Sequence, residues 1–251
     1  MKRSLPFIII ALVAVATLAG GTILYRAKLA ELTPVATNKA APAEEPKNEG
    51  EGVHIRGNPS ANVTIEEFAD FQCPPCASIS PILAKLEHEF ESQMRVLFRN
   101  FPLQMHNHAA EAAHAAEAAG AQGKFWQMHD LLYRNQSTWS READVRLTFI
   151  KYAQEIGLDL GRFERDCESP DVRARVTNDQ ARGTSLGVNR TPTLFINGQP
   201  VPPSSLNEQA LRTAITAAMR GEKISTETPT PPPVAVPLAP EVTPPPEAPS
   251  K

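Results

Sequence analysis

Val63-Thr64-Ile65-Glu66-Glu67-Phe68-Ala69-Asp70-Phe71-Gln72-Cys73-Pro74-Pro75-Cys76 runs from an apolar, strand-like segment straight into two cysteines two residues apart. A helical pattern follows at once, with Ile79, Ile82, Leu83, Leu86 and Phe90 spaced along one face. This order puts Cys73 at a helix N-terminus. Unpaired N–H groups and the positive end of the helix dipole stabilise a thiolate there. Pro74 and Pro75 suit the first turn, whose N–H groups have no intrahelical partner. A thiolate with a second thiol one turn away can attack a disulfide, hold a mixed disulfide and be resolved by its neighbour. Cys73, nearer the helix start, is the expected nucleophile, and Cys76 the resolving thiol.

The elements around this stretch follow from pattern. Val53–Arg56 alternates weakly as a first strand, and Val63–Ala69 enters the site. A helix is expected from Pro75 to about Phe90, and Arg95–Phe101 alternates as a third strand ending at Pro102. A helical block comes next. Asn107 is read as the cap of an alanine run to Gly123, Lys124–Asn135 as a second helix, and Ser140 as the cap of a helix to Gly157. Shorter helices are read at Leu160–Glu168 and Asp171–Leu186. Thr193–Ile196 returns to strand, Asn197-Gly198 is a hairpin turn, and Val201 begins the return. An amphipathic helix from Ser204 to Arg220 closes the order.

That order is α/β: the thioredoxin order with a helical insert after the third strand. Phe71-Gln72-Cys73-Pro74-Pro75-Cys76 and Gly187-Val188-Asn189-Arg190-Thr191-Pro192-Thr193-Leu194-Phe195-Ile196-Asn197-Gly198 resemble the two signature regions of the DsbA-like thioredoxin family. Gly123-Lys124-Phe125-Trp126 with His129 resembles the first helices of its insert. The likeness runs from about Asn58 to Ala218. It implies an exported enzyme that oxidises, isomerises or reduces cysteines in other proteins. It also implies a cis-proline at Pro192 that, with Thr191, receives an extended substrate facing the sulfurs. An ordinary trans turn is the alternative reading there. Glu67 is implied to be a buried acid moving protons to and from the resolving thiol, against the alternative of a solvated strand residue. Buried, its pKa would rise. Glu66, on the other face, is expected to be solvated, and Asp70 to cap the turn before the helix. Neither Pro74 nor Pro75 offers an N–H, and no histidine separates the cysteines. Cys73 should therefore be less acidic than in family members with a histidine there, and its disulfide less oxidising.

The remaining features set the boundaries. Lys2 and Arg3 precede an apolar run, Phe7–Leu24. A helix over that run spans roughly 27 Å, near the ~30 Å hydrocarbon core. Residues 1–26 read as a membrane anchor or signal segment, with Ala14-Val15-Ala16 as a possible cleavage site. Residues 27–51 read as a stalk, 52–222 as one domain with its insert at about 103–188, and 223–251 as a Pro-rich disordered tail. The 25 basic and 28 acidic residues nearly balance and form no basic stripe, which argues against nucleic acid. Three cysteines leave one over, so a purely structural disulfide framework does not explain them. Cys167, four residues after Phe163, is read as a buried, inert thiol. His106, His108, His114 and His129 show no metal-site spacing and are read as capping or packing groups. No cofactor or metal is expected.

The functional expectation is thiol–disulfide exchange with cysteine-containing exported proteins, net oxidation being favoured in an oxidising compartment. Isomerase and reductase are alternatives on the same chemistry. The expected location is the bacterial envelope, at the outer face of the cytoplasmic membrane, with recycling by a quinone-linked membrane partner. A reading of another class is a membrane-tethered copper-handling protein using Cys73, Cys76 and a histidine. A third is a scaffold displaying the Pro-rich tail.

Overall fold

Strand β2 (Val63–Ala69) lies at the centre of a five-stranded sheet in the computed structural model, which describes residues 54–224. The expected anchor, the stalk and the tail from Ser225 lie outside the described residues. The strands run β1 (His54–Gly57), β3 (Met94–Asn100), β2, β4 (Thr193–Ile196), β5 (Gln199–Pro200) across the sheet. Only β2 and β3 pair in parallel. A parallel pair needs a crossover, and helix α1 (Pro74–Phe90) supplies it.

Helix α1 lays Ile79, Leu83 and Leu86 on one face of the sheet, against Val63, Ile65, Met94 and Val96. The closing helix α8 (Glu208–Met219) adds Leu211 and Ile215 to the same core. Between β3 and β4 the chain makes α2 (Ala109–Gly120), α3 (Phe125–Arg134), α4 (Gln136–Trp139), α5 (Arg146–Glu155), α6 (Leu160–Cys167) and α7 (Pro170–Ser185). The alanines of α2 let these helices approach closely: Ala112, Ala115, Ala116, Ala118 and Ala119 are all buried. Helix α7 comes so near the sheet that a Cβ at Gly183 would lie 2.8 Å from Phe101 and 2.9 Å from Phe68. In the β4–β5 hairpin Asn197 (φ 47°) and Gly198 (φ 76°) are both left-handed, as a two-residue turn that matches strand twist requires.

Local expectations failed where tertiary contacts intervened. Ser140 does not open a helix; it ends α4, because Trp139 is fully buried and its Nε1 donates to the Leu132 carbonyl at 2.7 Å. The next helix, α5, starts only at Arg146, whose N–H is met by Asp144 Oδ1 at 2.9 Å. Asn107 caps nothing: α2 starts at Ala109, and the His108 N–H goes to Gln72 Oε1 at 2.7 Å. Helix α8 is capped by Asn207, which accepts from the Ala210 N–H at 3.0 Å, while Pro203–Ser205 forms a separate tight turn.

Glu66 is a further correction. It is buried, accepting from Arg99 Nε at 2.9 Å and from Arg182 Nε at 2.6 Å. Strand alternation does put it opposite Glu67, but Arg182 of α7 covers that face at Glu66, so both carboxylates are shielded from solvent. Its guanidinium partners hold its pKa below the usual carboxylate range although burial opposes them. A second buried carboxylate, Glu117 of α2, joins His54 at 2.9 Å, Arg175 at 2.8 Å and Asn100 at 2.7 Å, tying the insert to β1 and β3.

Candidate active site

Cys73 is the N-cap of α1, with extended backbone (φ −77°, ψ 118°), and Pro74 and Pro75 form the exposed first turn. The Cys73 carbonyl accepts from the Cys76 N–H at 3.1 Å and the Ala77 N–H at 3.3 Å. Cys73 keeps 5 % of its surface in solvent and Cys76 none, so a partner's sulfur can approach only Cys73. The Cys76 thiol donates to the Cys73 sulfur, and this bond is the main reason that the Cys73 pKa is lowered from 9.0 to about 6. Burial works against the shift; the Thr191 side chain and the Cys76 N–H assist it. Cys76 moves the other way, raised by burial, by its bond to Cys73 and by the charge on Cys73. The two titrate as a pair that leaves the last proton on Cys76.

A thiolate ultraviolet titration of the reduced protein should show a midpoint near 6 that disappears in Cys73→Ala. A depressed pKa stabilises the folded dithiol fully above pH 9 and no longer below 6. Reduced protein should therefore gain stability over oxidised protein as pH rises from 6 to 9. A midpoint near 9 with no such gain would contradict the geometry.

Buried polar side chains hold this turn. Asp70 accepts from the Gln72 N–H at 2.7 Å, from the Leu103 N–H at 2.9 Å and lies 2.7 Å from His106 Nδ1. It fills the turn-capping place expected of it and also ties down the chain after β3. Gln136 of α4 reaches back, its Nε2 donating to the Phe71 carbonyl at 2.7 Å and the Cys73 carbonyl at 2.9 Å. Nothing in the polar run Asn135-Gln136-Ser137-Thr138 marks Gln136 in the sequence. Gln136→Ala should cost about 1–3 kcal/mol, because the buried Phe71 carbonyl loses its donor while Cys73 keeps two others. Chemical denaturation of the variant measures this.

The loop before β4 faces Cys73. The Thr191–Pro192 peptide is cis, and the Cys73 thiol donates to the Thr191 carbonyl at 3.4 Å. The Thr191 hydroxyl is buried with no partner among the described residues, a donor available to a Cys73 thiolate. Beneath the cysteines Glu67 is 2 % exposed, with Oε1 unpartnered among the described residues. Burial raises its pKa from 4.5 to about 8, opposed only by Arg56. Its charge in turn helps to raise Cys76. Tyr133 of α3 was not foreseen. Its hydroxyl is buried without a partner among the described residues, and its pKa is raised by burial, then by the charges of Cys76 and Glu67. Only the folding of α3 over Phe71, with ring centroids 5.0 Å apart, brings Tyr133 here.

The other candidates lie elsewhere. Cys167 is half-buried rather than enclosed, in a cleft of the insert beside His114, Phe149 and Arg173; burial pushes its thiol up to about 12. His106 and His108 bond Asp70 and Glu111, and His129 is enclosed by Phe71, Phe98, Trp126 and Tyr133 with Asp130 at 2.8 Å. Among the described residues no three His, Cys, Asp or Glu side chains converge as metal ligands would.

A parallel–antiparallel sheet with α1 crossing over, a helical insert and a dithiol at a helix start define a thioredoxin-fold protein. The chain belongs to the thioredoxin family: residues 49–217 match the family model described as Thioredoxin. Among solved structures it is similar to a thioredoxin-like oxidoreductase from Silicibacter pomeroyi DSS-3, with 29 % identity, 68 % of this chain and 94 % of that one covered, and a TM-score of 0.59. It shares its fold with oxidised BdbD from Bacillus subtilis, at 20 % identity, the same coverages and a TM-score of 0.61. A curated relative is Na(+)/H(+) antiporter NhaA 1 of Salinispora arenicola, 38 % identical over 172 residues, which are 68 % of this chain and 25 % of that protein. Another is the Na(+)/H(+) antiporter NhaA of Herminiimonas arsenicoxydans, 35 % identical over 179 residues, 71 % of this chain and 28 % of that protein. The chain thus spans about a quarter of these antiporters' length.

Proposed function

We propose that this protein is an exported thiol–disulfide oxidoreductase whose Cys73–Cys76 pair exchanges disulfides with cysteines of other proteins, with net oxidation as its direction. The observation that carries this reading is geometric: Cys73 starts α1 and faces the Thr191 carbonyl at 3.4 Å, with the fully buried Cys76 one turn behind it.

The oxidative cycle follows from that arrangement. A substrate thiolate attacks Cys73 Sγ; the Cys73–Cys76 bond breaks and a mixed disulfide forms. Cys76 leaves as a thiolate and takes a proton from the Glu67 carboxyl, which its raised pKa keeps loaded near neutral pH. A second substrate thiolate then attacks the substrate sulfur. The substrate disulfide forms, Cys73 leaves as its stabilised thiolate, and two electrons have passed to the pair. Thr191 and Pro192 would receive the substrate as an added extended strand. Ion transport belongs to the whole antiporters and is not proposed for the quarter matched here.

Direction rests on acidity. Hydrogen bonds from Cys76 and from the Thr191 side chain lower the Cys73 thiol below its usual value, and a more stable leaving thiolate makes the disulfide a better oxidant. Equilibration with glutathione buffers tests it. A potential above that of thioredoxin, about −270 mV, and below that of DsbA, about −120 mV, is expected. A thioredoxin-like value would make the protein a reductase and overturn net oxidation while leaving exchange intact.

The apolar run Phe7–Leu24 and the stalk 27–51 support placing the domain at the outer face of the cytoplasmic membrane, within reach of a quinone-linked membrane partner. Removing the run while retaining export should slow re-oxidation in cells; unchanged kinetics would refute that partner.

A further inference from the structure

Two clefts meet at the loop that faces Cys73. One, of about 610 Å³, passes over Pro74, Pro75, Ile79 and Ile82. The other, of about 350 Å³, continues over Val188, Phe195 and Pro200. Arg190, Pro192, Pro203 and Leu206 line both, so the two clefts adjoin, one beside the Pro74–Pro75 turn and the other towards the β4–β5 hairpin. The walls of both are mostly aliphatic, aromatic and proline side chains, with Ser78, Asn189, Thr191 and Thr193 as uncharged polar members, and proline has no N–H to offer. Arg190 is the single charged residue in that lining. It is exposed, and among the described residues no carboxylate pairs with its guanidinium. By contrast, Arg56, Arg99, Arg175, Arg182 and Arg212 all hold carboxylates.

We propose that Arg190 selects, among protein thiols, cysteines that lie in an extended apolar segment carrying an acidic side chain close by. The inference rests on the thiol-exchange reading above and names its substrate class. The geometry sets the spacing. Arg190 is one residue from Thr191, whose carbonyl is 3.4 Å from Cys73 Sγ. A sulfur joined to Cys73 therefore starts beside Thr191. An extended segment advances about 3.3 Å per residue, so the side chain opposite Arg190 comes from within about three residues of the substrate cysteine. A basic residue at that place meets a like charge that no carboxylate neutralises. An acidic one meets a planar guanidinium suited to a carboxylate. Charge at such an exposed site acts mostly on the rate of encounter, so the preference should be about threefold to tenfold at low salt and shrink as salt is added.

The test uses the full chain in its disulfide form and peptides with one cysteine in an extended Val- and Ile-rich segment. The peptides are identical except for Glu, Gln or Lys two residues from the cysteine. Opening of the disulfide is followed by stopped flow, and each rate is divided by that protein's own rate with the neutral thiol 2-mercaptoethanol. The expected order is Glu, then Gln, then Lys. The spread should collapse in Arg190→Gln and invert in Arg190→Glu. Equal rates, or a spread that survives both substitutions, would overturn the proposal. If 2-mercaptoethanol itself fails to open the disulfide, the exchange reading fails. Calorimetry with serine in place of the peptide cysteine then decides on Arg190 alone. Glu-over-Lys binding that inverts in Arg190→Glu supports the selection, and equal binding refutes it.

Discussion

Cys73→Ala is expected to lose disulfide exchange down to the rate of free thiols in buffer, whereas reduced Cys76→Ala should accumulate target proteins covalently joined to Cys73. The asymmetry comes from burial. Cys76 has no exposed surface, so in Cys73→Ala no partner sulfur can line up with it. In Cys76→Ala the accessible thiol attacks a target disulfide and forms the mixed disulfide, but no second thiol stands behind it to break the bond. The trapped species should be visible by mass spectrometry after alkylation. The same variant removes the hydrogen bond that does most to lower Cys73. Its thiol should move from about 6 back towards 9, so trapping should be slow at pH 7 and accelerate through pH 8 to 9. Cys167→Ala should leave both results unchanged, since burial holds that thiol near 12. Targets trapped on Cys76 in Cys73→Ala would reverse the assignment.

Glu67→Gln carries the next largest effect, on two measurements with opposite signs. The first is stability. Folding raises the Glu67 pKa from 4.5 to about 8, so the folded state holds a proton that the unfolded state has lost. That contribution is fully present below pH 4.5 and disappears as pH rises through 8, a swing of about 5 kcal/mol by linkage. Gln has the same shape and no proton to lose. In oxidised protein, where the cysteines do not titrate, the variant should match the natural chain near pH 4.5 and exceed it in stability near pH 9. The second measurement is rate. Cys76 is raised by burial and needs a proton donor and acceptor at hand, so the variant should exchange slower by about 10²-fold or more near neutral pH. The natural protein's rate profile should bend near pH 8 and the variant's should not. A bend that persists in Glu67→Gln would take the proton-handling role away from this carboxyl.

Parts of the fold were legible because their signals are local. An apolar strand ending at a cysteine pair, an alternating third strand and an Asn-Gly turn each state their geometry within a few residues. The structure places β2, β3 and β4 within about a residue of those readings, while the return strand β5 starts at Gln199, two residues before the expected Val201. The insert was less legible. Its helices were counted nearly right, but Ser140 is as good a cap on paper as Asn207, and the burial of Trp139 decided between them. Glu66 was misread for a related reason. Alternation assigns a residue to one face of a strand but does not say whether that face is covered.

What the chain's own order of residues determined is the local geometry of the proposed nucleophile: Cys73 starts a helix, Pro74 and Pro75 follow it, and Cys76 lies one turn on. These are contacts between residues adjacent in sequence. The environment of that dithiol was decided at long range. Glu67 lost its solvent, Tyr133 and Gln136 came in on the insert, and Thr191 and Arg190 arrived more than a hundred residues later on the neighbouring strand's loop. A pKa depends on which groups lie within a few ångströms and on how much water remains, and both are settled only when the sheet and the insert pack together.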